Sequence, residues 1–172
     1  MYDESMNSTI KAFVATALFS ALGCWMGLDA PRTPELAPEL LFYIVLVINT
    51  FFSIRFYAAM QPGTISQTLI DAALGLCYVA LAVSFGHPLL FAFSALCLFI
   101  AAPPKYALML GRVPHAALLR RKILIDTSGT VACAALLGST LFGHSLFGMW
   151  AFAIVFALAN VYLLLIKPMY RL

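Results

Sequence analysis

Six long apolar runs dominate the chain and constrain its fold more than any other feature. They cover about residues 10–28, 40–60, 67–86, 88–108, 123–143 and 146–166. A helix of about 20 residues crosses the hydrocarbon core of a bilayer, which is about 30 Å thick. With 63% hydrophobic and only 10% charged residues, a soluble domain of this length would leave much apolar surface in water. The sequence therefore predicts an all-α membrane protein, a six-transmembrane-helix bundle that forms one domain over residues 1–172.

The first apolar run is expected to remain in the protein as a helix. Asp3 and Glu4 precede Lys11, and the run ends in Gly-Leu-Asp-Ala-Pro without a small-residue cleavage site. A secretory signal peptide begins with basic residues and ends in such a site.

The basic residues are distributed unequally between the two sides of the predicted bundle. Nine of the ten fall at the N-terminus, the second and fourth connections or the C-terminus: Lys11, Arg55, Lys105, Arg112, Arg120, Arg121, Lys122, Lys167 and Arg171. Only Arg32 falls on the other side, in a first connection that also carries Asp29, Glu35 and Glu39. Because cationic loops stay in the cytoplasm, both termini are predicted to be cytoplasmic. The expected location is a plasma membrane, such as the bacterial inner membrane.

Residues 105–122 form the largest predicted cytoplasmic segment and hold five of the ten basic residues. One interpretation is a short helix that lies on anionic lipid. The other is ordinary charge that orients the chain during insertion.

Two stretches of the chain resemble each other. Leu69-Ile70-Asp71 and Leu124-Ile125-Asp126 are 55 residues apart, while Phe85-Gly86-His87 and Phe142-Gly143-His144 are 57 apart. A weaker first copy places Ile10-Lys11 at the position of Ile70-Asp71, with the charge reversed. Such regular spacing predicts three tandem helical hairpins.

Side-chain size also differs between odd and even helices. Most phenylalanines lie in helices two, four and six, whereas small residues such as Gly23, Gly27 and Gly129 lie in helices one and five. Small residues let helix backbones approach closely in lipid. The sequence therefore predicts that odd helices line the interior and even helices face lipid.

Asp71 and Asp126 are the leading candidates for function. Each lies about one turn inside a predicted span. An unpaired carboxylate costs at least about 2.5 kcal/mol at the centre of such a span and less near the interface. The functional interpretation is a proton or ion relay, or a cation site. The structural one is an interhelical salt bridge: Asp71 with Lys11, Arg55 or Lys105, and Asp126 with one of these or with Lys122.

Lys11 occupies the aspartate position of the first repeat copy. If the three copies converge, Lys11 would lie between Asp71 and Asp126 and close the cytoplasmic end of the bundle. This closure would be a gate if it opens and a fixed structural contact if it does not.

Five further polar residues are candidates of lower rank. Asn49 and Asn160 lie inside helices two and six, where amides usually form hydrogen bonds between helices. Arg55 lies close enough to a helix end for its guanidinium to reach the membrane surface. His87 and His144 occupy matching outer turns, where they would bind a metal, a haem propionate or a proton, or serve only as polar turn residues.

Tryptophan and tyrosine fall near the ends of the spans. Trp25 and Trp150 lie near the outer ends, and Tyr57, Tyr106 and Tyr170 near the inner ends. This distribution predicts interfacial anchors at headgroup level.

Motifs for enzyme chemistry are missing. The chain contains no HExxH, GxSxG or P-loop pattern, and Ser128-Gly129-Thr130 has no histidine at a comparable depth. The four cysteines stand singly without a metal-ligand spacing: Cys24, Cys77, Cys97 and Cys133. No basic face alternates with aromatic residues. We therefore expect no enzyme activity, no metal, no cofactor and no nucleic-acid partner.

Ala17-Leu18-Phe19-Ser20-Ala21 places two small residues four apart on the first helix. With six helices and both ends inside, the layout resembles that of the substrate-binding subunits of energy-coupling-factor vitamin importers. Those subunits dock a partner through small residues on the first helix. The resemblance therefore implies a solute-binding component of a transporter.

Three functions remain open. The first is transport or permeation of a small solute or ion, alone or as a solute-binding component. The second is a non-catalytic subunit or assembly factor that binds partner subunits or further copies of itself. The third, which the missing motifs argue against, is an intramembrane enzyme with Asp71 and Asp126 as acid and base. A water-accessible cavity that reaches both aspartates would favour transport, and a dry core with paired aspartates would favour the subunit.

Overall fold

The structure of the protein is a computed structural model, and its described residues form six α-helices and one π-helical turn. It describes residues 2–58, 60, 63–110 and 116–170, with side chains from residue 8 onward, and these contain no β-strand. The elements are α1 (Tyr2–Asp29), α2 (Leu36–Tyr57), α3 (Ile65–Val83), α4 (Pro88–Ala107), α5 (Ala116–Leu141), α6 (Ser145–Val161) and a π-helical turn (Tyr162–Ile166). All six helices are long and apolar enough to cross a membrane, which confirms the predicted multi-pass, all-α architecture.

The helix boundaries differ from the predicted spans most clearly at α5. This helix begins at Ala116 rather than at residue 123, so the second half of the predicted cytoplasmic segment 105–122 is helical. Residues 105–107 likewise belong to α4. Of the basic residues in the segment, Arg112 lies outside the described part of the chain, whereas Lys122 lies buried within α5.

The six helices pack side by side in a ring. Neighbours in sequence form the pairs α1/α2, α3/α4 and α5/α6, and the contacts α2/α6, α4/α5 and α1/α3 join these pairs. The order around the ring is therefore α1, α2, α6, α5, α4, α3. We call the end with the short connections 30–35, 84–87 and 142–144 the turn end. The opposite end, where α3 and α5 begin and α2 and α4 finish, is the basic end.

The two Phe-Gly-His motifs form turns with the same backbone conformation. Gly86 has φ +77° and Gly143 has φ +81°. Residues with a Cβ atom rarely adopt this left-handed backbone conformation, whereas glycine adopts it readily. His87 and His144 then occupy the N-cap positions of α4 and α6. This likeness is local to the turns, and the three-hairpin repeat stays a prediction.

The prediction that odd helices are interior and even helices face lipid is wrong. In the most apolar windows of α2 and α4, 39% of the residues are buried, against 11% in α1 and 17% in α5, while α3 and α6 are equal at 22%. Phenylalanines of the even helices pack against one another in the core, as in the pairs Phe42–Phe91, at 5.7 Å between ring centroids, and Phe42–Phe152, at 4.9 Å. Edge and stacked ring contacts add to the burial that holds the bundle together.

Two prolines near the end of α4 shape its contact with α5. Pro103 has no N–H group, so the carbonyl of Phe99 lacks its usual helical donor. The Thr130 hydroxyl of α5 donates to this carbonyl at 3.0 Å. Gly129, one residue earlier, lies directly against the Phe99 ring. The neighbouring helix thereby supplies the hydrogen-bond donor that the Phe99 carbonyl could not obtain from lipid.

Replacing Gly129 by alanine tests this close approach. The added Cβ would collide with the Phe99 ring, and overpacking of this kind costs about 1–3 kcal/mol. Gly138→Ala is the matched control on the same helix, because a Cβ added at Gly138 would meet no atom within 4 Å. Thermal unfolding in detergent should show a lower melting temperature for Gly129→Ala only. Equal melting temperatures for the two variants would contradict the described α4/α5 contact.

Candidate functional site

A cavity of about 960 Å³ penetrates the bundle from the basic end. All six helices contribute to its wall, from Lys11 and Arg121 at the mouth to Leu46 and Phe152 near the middle of their helices. Both candidate aspartates line it. Binding sites for small molecules usually have volumes of about 300–1,000 Å³, so this cavity is large enough for one.

Asp71 of α3 pairs with Lys105 of α4. The carboxylate oxygen lies 2.6 Å from the lysine Nζ, and the aspartate side chain is 41% exposed. Gln67, one turn earlier on α3, donates to the Lys105 carbonyl at 3.1 Å. Of the partners predicted for Asp71, the structure therefore selects Lys105, and the pair lies near the mouth.

Asp126 pairs with Lys122 four residues earlier on α5. The two charged atoms are 2.5 Å apart, and both residues are almost fully buried, at 3% and 5% exposure. The second carboxylate oxygen, Oδ2, has no hydrogen-bond partner among the described residues. Burial of two charges in a low-dielectric interior is costly even when they are paired. The burial of this ion pair is therefore the feature of the site with the highest cost in free energy.

Lys11 lines the same cavity as both aspartates, as its place in the first repeat copy predicts. It forms no ion pair with another described residue, and its side chain is exposed. The two ion pairs in the described part of the chain use Lys105 and Lys122 instead. Lys11 is therefore not a fixed contact to either carboxylate.

The tyrosines near the basic end form a cluster in which Tyr57 and Tyr106 are buried and Tyr170 is half-buried. The prediction of Tyr57 and Tyr106 as interfacial anchors is therefore wrong. The rings of Tyr57 and Tyr106 are 4.8 Å apart, and Tyr170 packs against Tyr57 at 6.0 Å. Lys122 Nζ lies 5.4 Å from the Tyr106 ring centroid, a cation–π distance. Burial raises the pKa of Tyr170, which follows the last span, above its ordinary value. The cluster thus surrounds the ion pair with neutral phenols.

The two asparagines behave differently. Asn49 Oδ1 accepts a hydrogen bond from Tyr170 at 3.0 Å, which joins α2 to the segment after α6. Asn160 lines the cavity, but its amide donates to the Phe156 carbonyl of its own helix, at 2.9 Å, rather than to a neighbouring helix. Arg55 is exposed on the last turn of α2 and lies outside the cavity wall.

The histidines of the turn end are far from this cavity. His87 and His144 are exposed N-cap residues without a side-chain cap hydrogen bond. Among the described residues, no group of three or more His, Cys, Asp or Glu side chains could hold a metal ion. Trp25 and Trp150 are 72% and 40% exposed, as interfacial anchors would be.

Glu39 belongs to the first outer connection in the sequence-based prediction, but it lies in α2 and is fully buried. Its carboxylate accepts the Gly86 N–H at 2.7 Å. Glu35, one turn earlier, accepts from the Ser145 hydroxyl at the start of α6, also at 2.7 Å. The start of α2 thus fastens both Phe-Gly-His turns and closes the turn end. In the sequence, the feature that indicates this role is a pair of glutamates four residues apart, directly before an apolar run.

Comparison with protein-family models, with curated proteins and with solved structures finds no match to this chain. The chemical groups of the site itself therefore indicate what it could bind. The described residues offer two lysine–aspartate pairs at different depths, a lysine at the mouth that pairs with neither aspartate, and an aromatic lining at the inner end of the cavity.

Removing Lys122 alone should be strongly destabilising. Lys122→Met leaves Asp126 buried without a partner, which costs about 3–5 kcal/mol, while removing both charges by Lys122→Met with Asp126→Leu should restore most of that loss. Lys105→Met is the matched control, because Asp71 is partly exposed and its pair contributes at most about 1 kcal/mol. Unfolding in detergent measures all three variants. Equal losses for the two single lysine variants would contradict the difference in burial.

Proposed function

We propose that the chain transports a small solute or is the solute-binding component of a transporter, with the basic-end cavity as its binding site. The observation that carries this proposal is the cavity itself, which reaches both aspartates from one end of the bundle. Charged residues within a membrane are rare and usually mark a path for a substrate or ion. A single packed bundle without such a role would have no need of a cavity of about 960 Å³.

The orientation of the chain belongs to this proposal. Nine of the ten basic residues favour a cytoplasmic basic end, with both termini inside and the membrane a bacterial inner membrane. The cavity would then open to the cytoplasm, and the turn end, fastened by Glu35 and Glu39, would face outward. The three tandem hairpins would have given rise to the similar Phe-Gly-His turns.

A second candidate is a non-catalytic subunit or assembly factor of a larger membrane complex. Both aspartates are paired with lysines, as this function predicts. Ala17, Ser20, Ala21 and Cys24 also leave a row of small side chains along α1, which suits close packing by a partner helix.

Native purification followed by mass spectrometry distinguishes the two candidates. A transport or solute-binding protein should release a small molecule at near-equal molar amounts on denaturation. A structural subunit should instead co-purify with other membrane proteins at fixed stoichiometry and release no such molecule. The second result would overturn the proposed function.

Lys11→Met tests the role of the lysine at the mouth. We expect unchanged thermal stability, because Lys11 forms no ion pair with a described residue. We expect faster leak of cations from vesicles that contain the variant, because the positive charge that repels them at the mouth is removed. Lys167→Met is the control, since Lys167 is exposed and does not line the cavity. A loss of stability without added leak would mark Lys11 as a structural residue.

A further inference from the structure

The charge of the cavity wall is not balanced. The charged residues that line it, within the described part of the chain, are four cations and two anions: Lys11, Lys105, Arg121, Lys122, Asp71 and Asp126. Two of the cations are neutralised by the aspartates, whereas Lys11 and Arg121 have no acidic partner among the described residues. In a low-dielectric setting, excess positive charge attracts anions.

The floor of the cavity is apolar and aromatic. Phe19 of α1 stacks on Tyr78 of α3 with ring centroids 4.3 Å apart, and Phe99 of α4 meets Phe156 of α6 at 5.9 Å. All four of these residues line the cavity. A ligand that fits both parts of the wall has an apolar body and a negatively charged end.

The deepest cation that this ligand could reach is Lys122, but Asp126 already holds it. Asp126 Oδ2 is buried without a hydrogen-bond partner among the described residues, so the carboxylate lacks the further donors that would keep it ionised. A proton added to Oδ2 would neutralise the carboxylate and leave the Lys122 ammonium without a counter-ion. An anion in the cavity would then become that counter-ion.

We propose that the cavity binds a small organic anion with an apolar body, and that one proton binds to Asp126 together with each anion. This inference rests on the proposed function, since it assigns the solute class and the coupled ion of the same cavity. The proton comes from solvent and adds to Oδ2, while the anion accepts hydrogen bonds from Lys122 Nζ. The net charge of the site is conserved, because the ligand replaces Asp126 as the anionic partner of Lys122.

The other titratable groups around Asp126 do not compete for this proton. Tyr57 of α2, Tyr106 of α4 and Tyr170 after α6 interact electrostatically with Asp126, and Lys122 lies on its own helix. Phenols and ammonium groups titrate near pH 10 in water, so they keep their protons at neutral pH. Asp71 is the one other carboxylate in the described cavity wall, and it has Lys105 as its partner.

Benzenesulfonate is a suitable probe because it has an aromatic body and stays anionic at every pH used. Any proton taken up when it binds must therefore go to the protein. The purified full chain in weakly buffered detergent is titrated with benzenesulfonate, and binding and proton uptake are followed by equilibrium dialysis and a pH indicator. The neutral benzenesulfonamide and the cationic benzyltrimethylammonium are the matched probes of similar shape.

We expect benzenesulfonate to bind more tightly than either matched probe, with about one proton taken up per anion bound. Its affinity should fall about tenfold per pH unit on the alkaline side of the transition. Asp126→Asn should bind the anion at least as tightly, with no proton uptake and no pH dependence. Asp29→Asn, which removes an exposed carboxylate at the turn end, should behave as the unaltered chain does.

A variant that lacks Lys122 completes the test. Because Lys122→Met alone leaves a buried charge, Lys122→Met with Asp126→Asn is used, and it should lose benzenesulfonate binding while it remains folded. Proton uptake that disappears in Asp71→Asn and persists in Asp126→Asn would overturn the assignment of the proton.

Equal binding of the three probes, or binding of none, would overturn the solute class. Neither result removes the proposed function, which fails only if native purification yields stoichiometric partner proteins and no small molecule.

Discussion

The Lys122–Asp126 ion pair is the interaction on which the site depends. Both residues lie on α5, one turn apart, and both are buried inside a helix long and apolar enough to cross a membrane. Both side chains are almost fully withdrawn from lipid headgroups and from bulk water, so each ion stabilises the charge of the other. The surrounding phenols of Tyr57, Tyr106 and Tyr170 supply a polarisable environment without adding charge. The pair therefore makes α5 suitable as the wall of a polar cavity in an otherwise apolar bundle.

Contacts along the length of the bundle explain why the described residues leave the cavity accessible from the basic end. At the turn end, Glu35 and Glu39 hold the turns before α4 and α6 against the start of α2. In the middle, phenylalanines of α2, α4 and α6 pack against one another and bound the inner end of the cavity. Near the basic end, Pro103 and Pro104 remove two N–H donors from within α4, and Thr130 compensates for the donor that is lost at Pro103. The same chain thus has a closed half that gives stability and an open half that can bind a ligand.

The six helices, and the positions of the two aspartates within apolar helices, can be predicted from the sequence. The length of an apolar run and an isolated charge are both local properties of the chain. The burial of Lys122 cannot, because its basic neighbours Arg120 and Arg121 indicate a cytoplasmic segment, while α5 in fact begins at Ala116. The tyrosine cluster cannot be predicted from the sequence either. The position of an aromatic residue along a span does not reveal which face of the helix it occupies. The small residues of the odd helices are misleading as well: Gly129 marks close contact with Phe99 and says nothing of which helix is more buried.

Accessibility of single cysteines tests the central claim, a polar cavity that enters the bundle from the basic end. In a chain whose four native cysteines are replaced by alanine, Ser53→Cys lies in the cavity wall of α2, and Ile44→Cys lies on the exposed apolar face of the same helix. A small anionic thiosulfonate that does not cross bilayers should label Ser53→Cys in inside-out vesicles, not in right-side-out ones, and should leave Ile44→Cys unlabelled in both. Protection of Ser53→Cys in both vesicle types, or labelling of it from the outer side, would contradict the account.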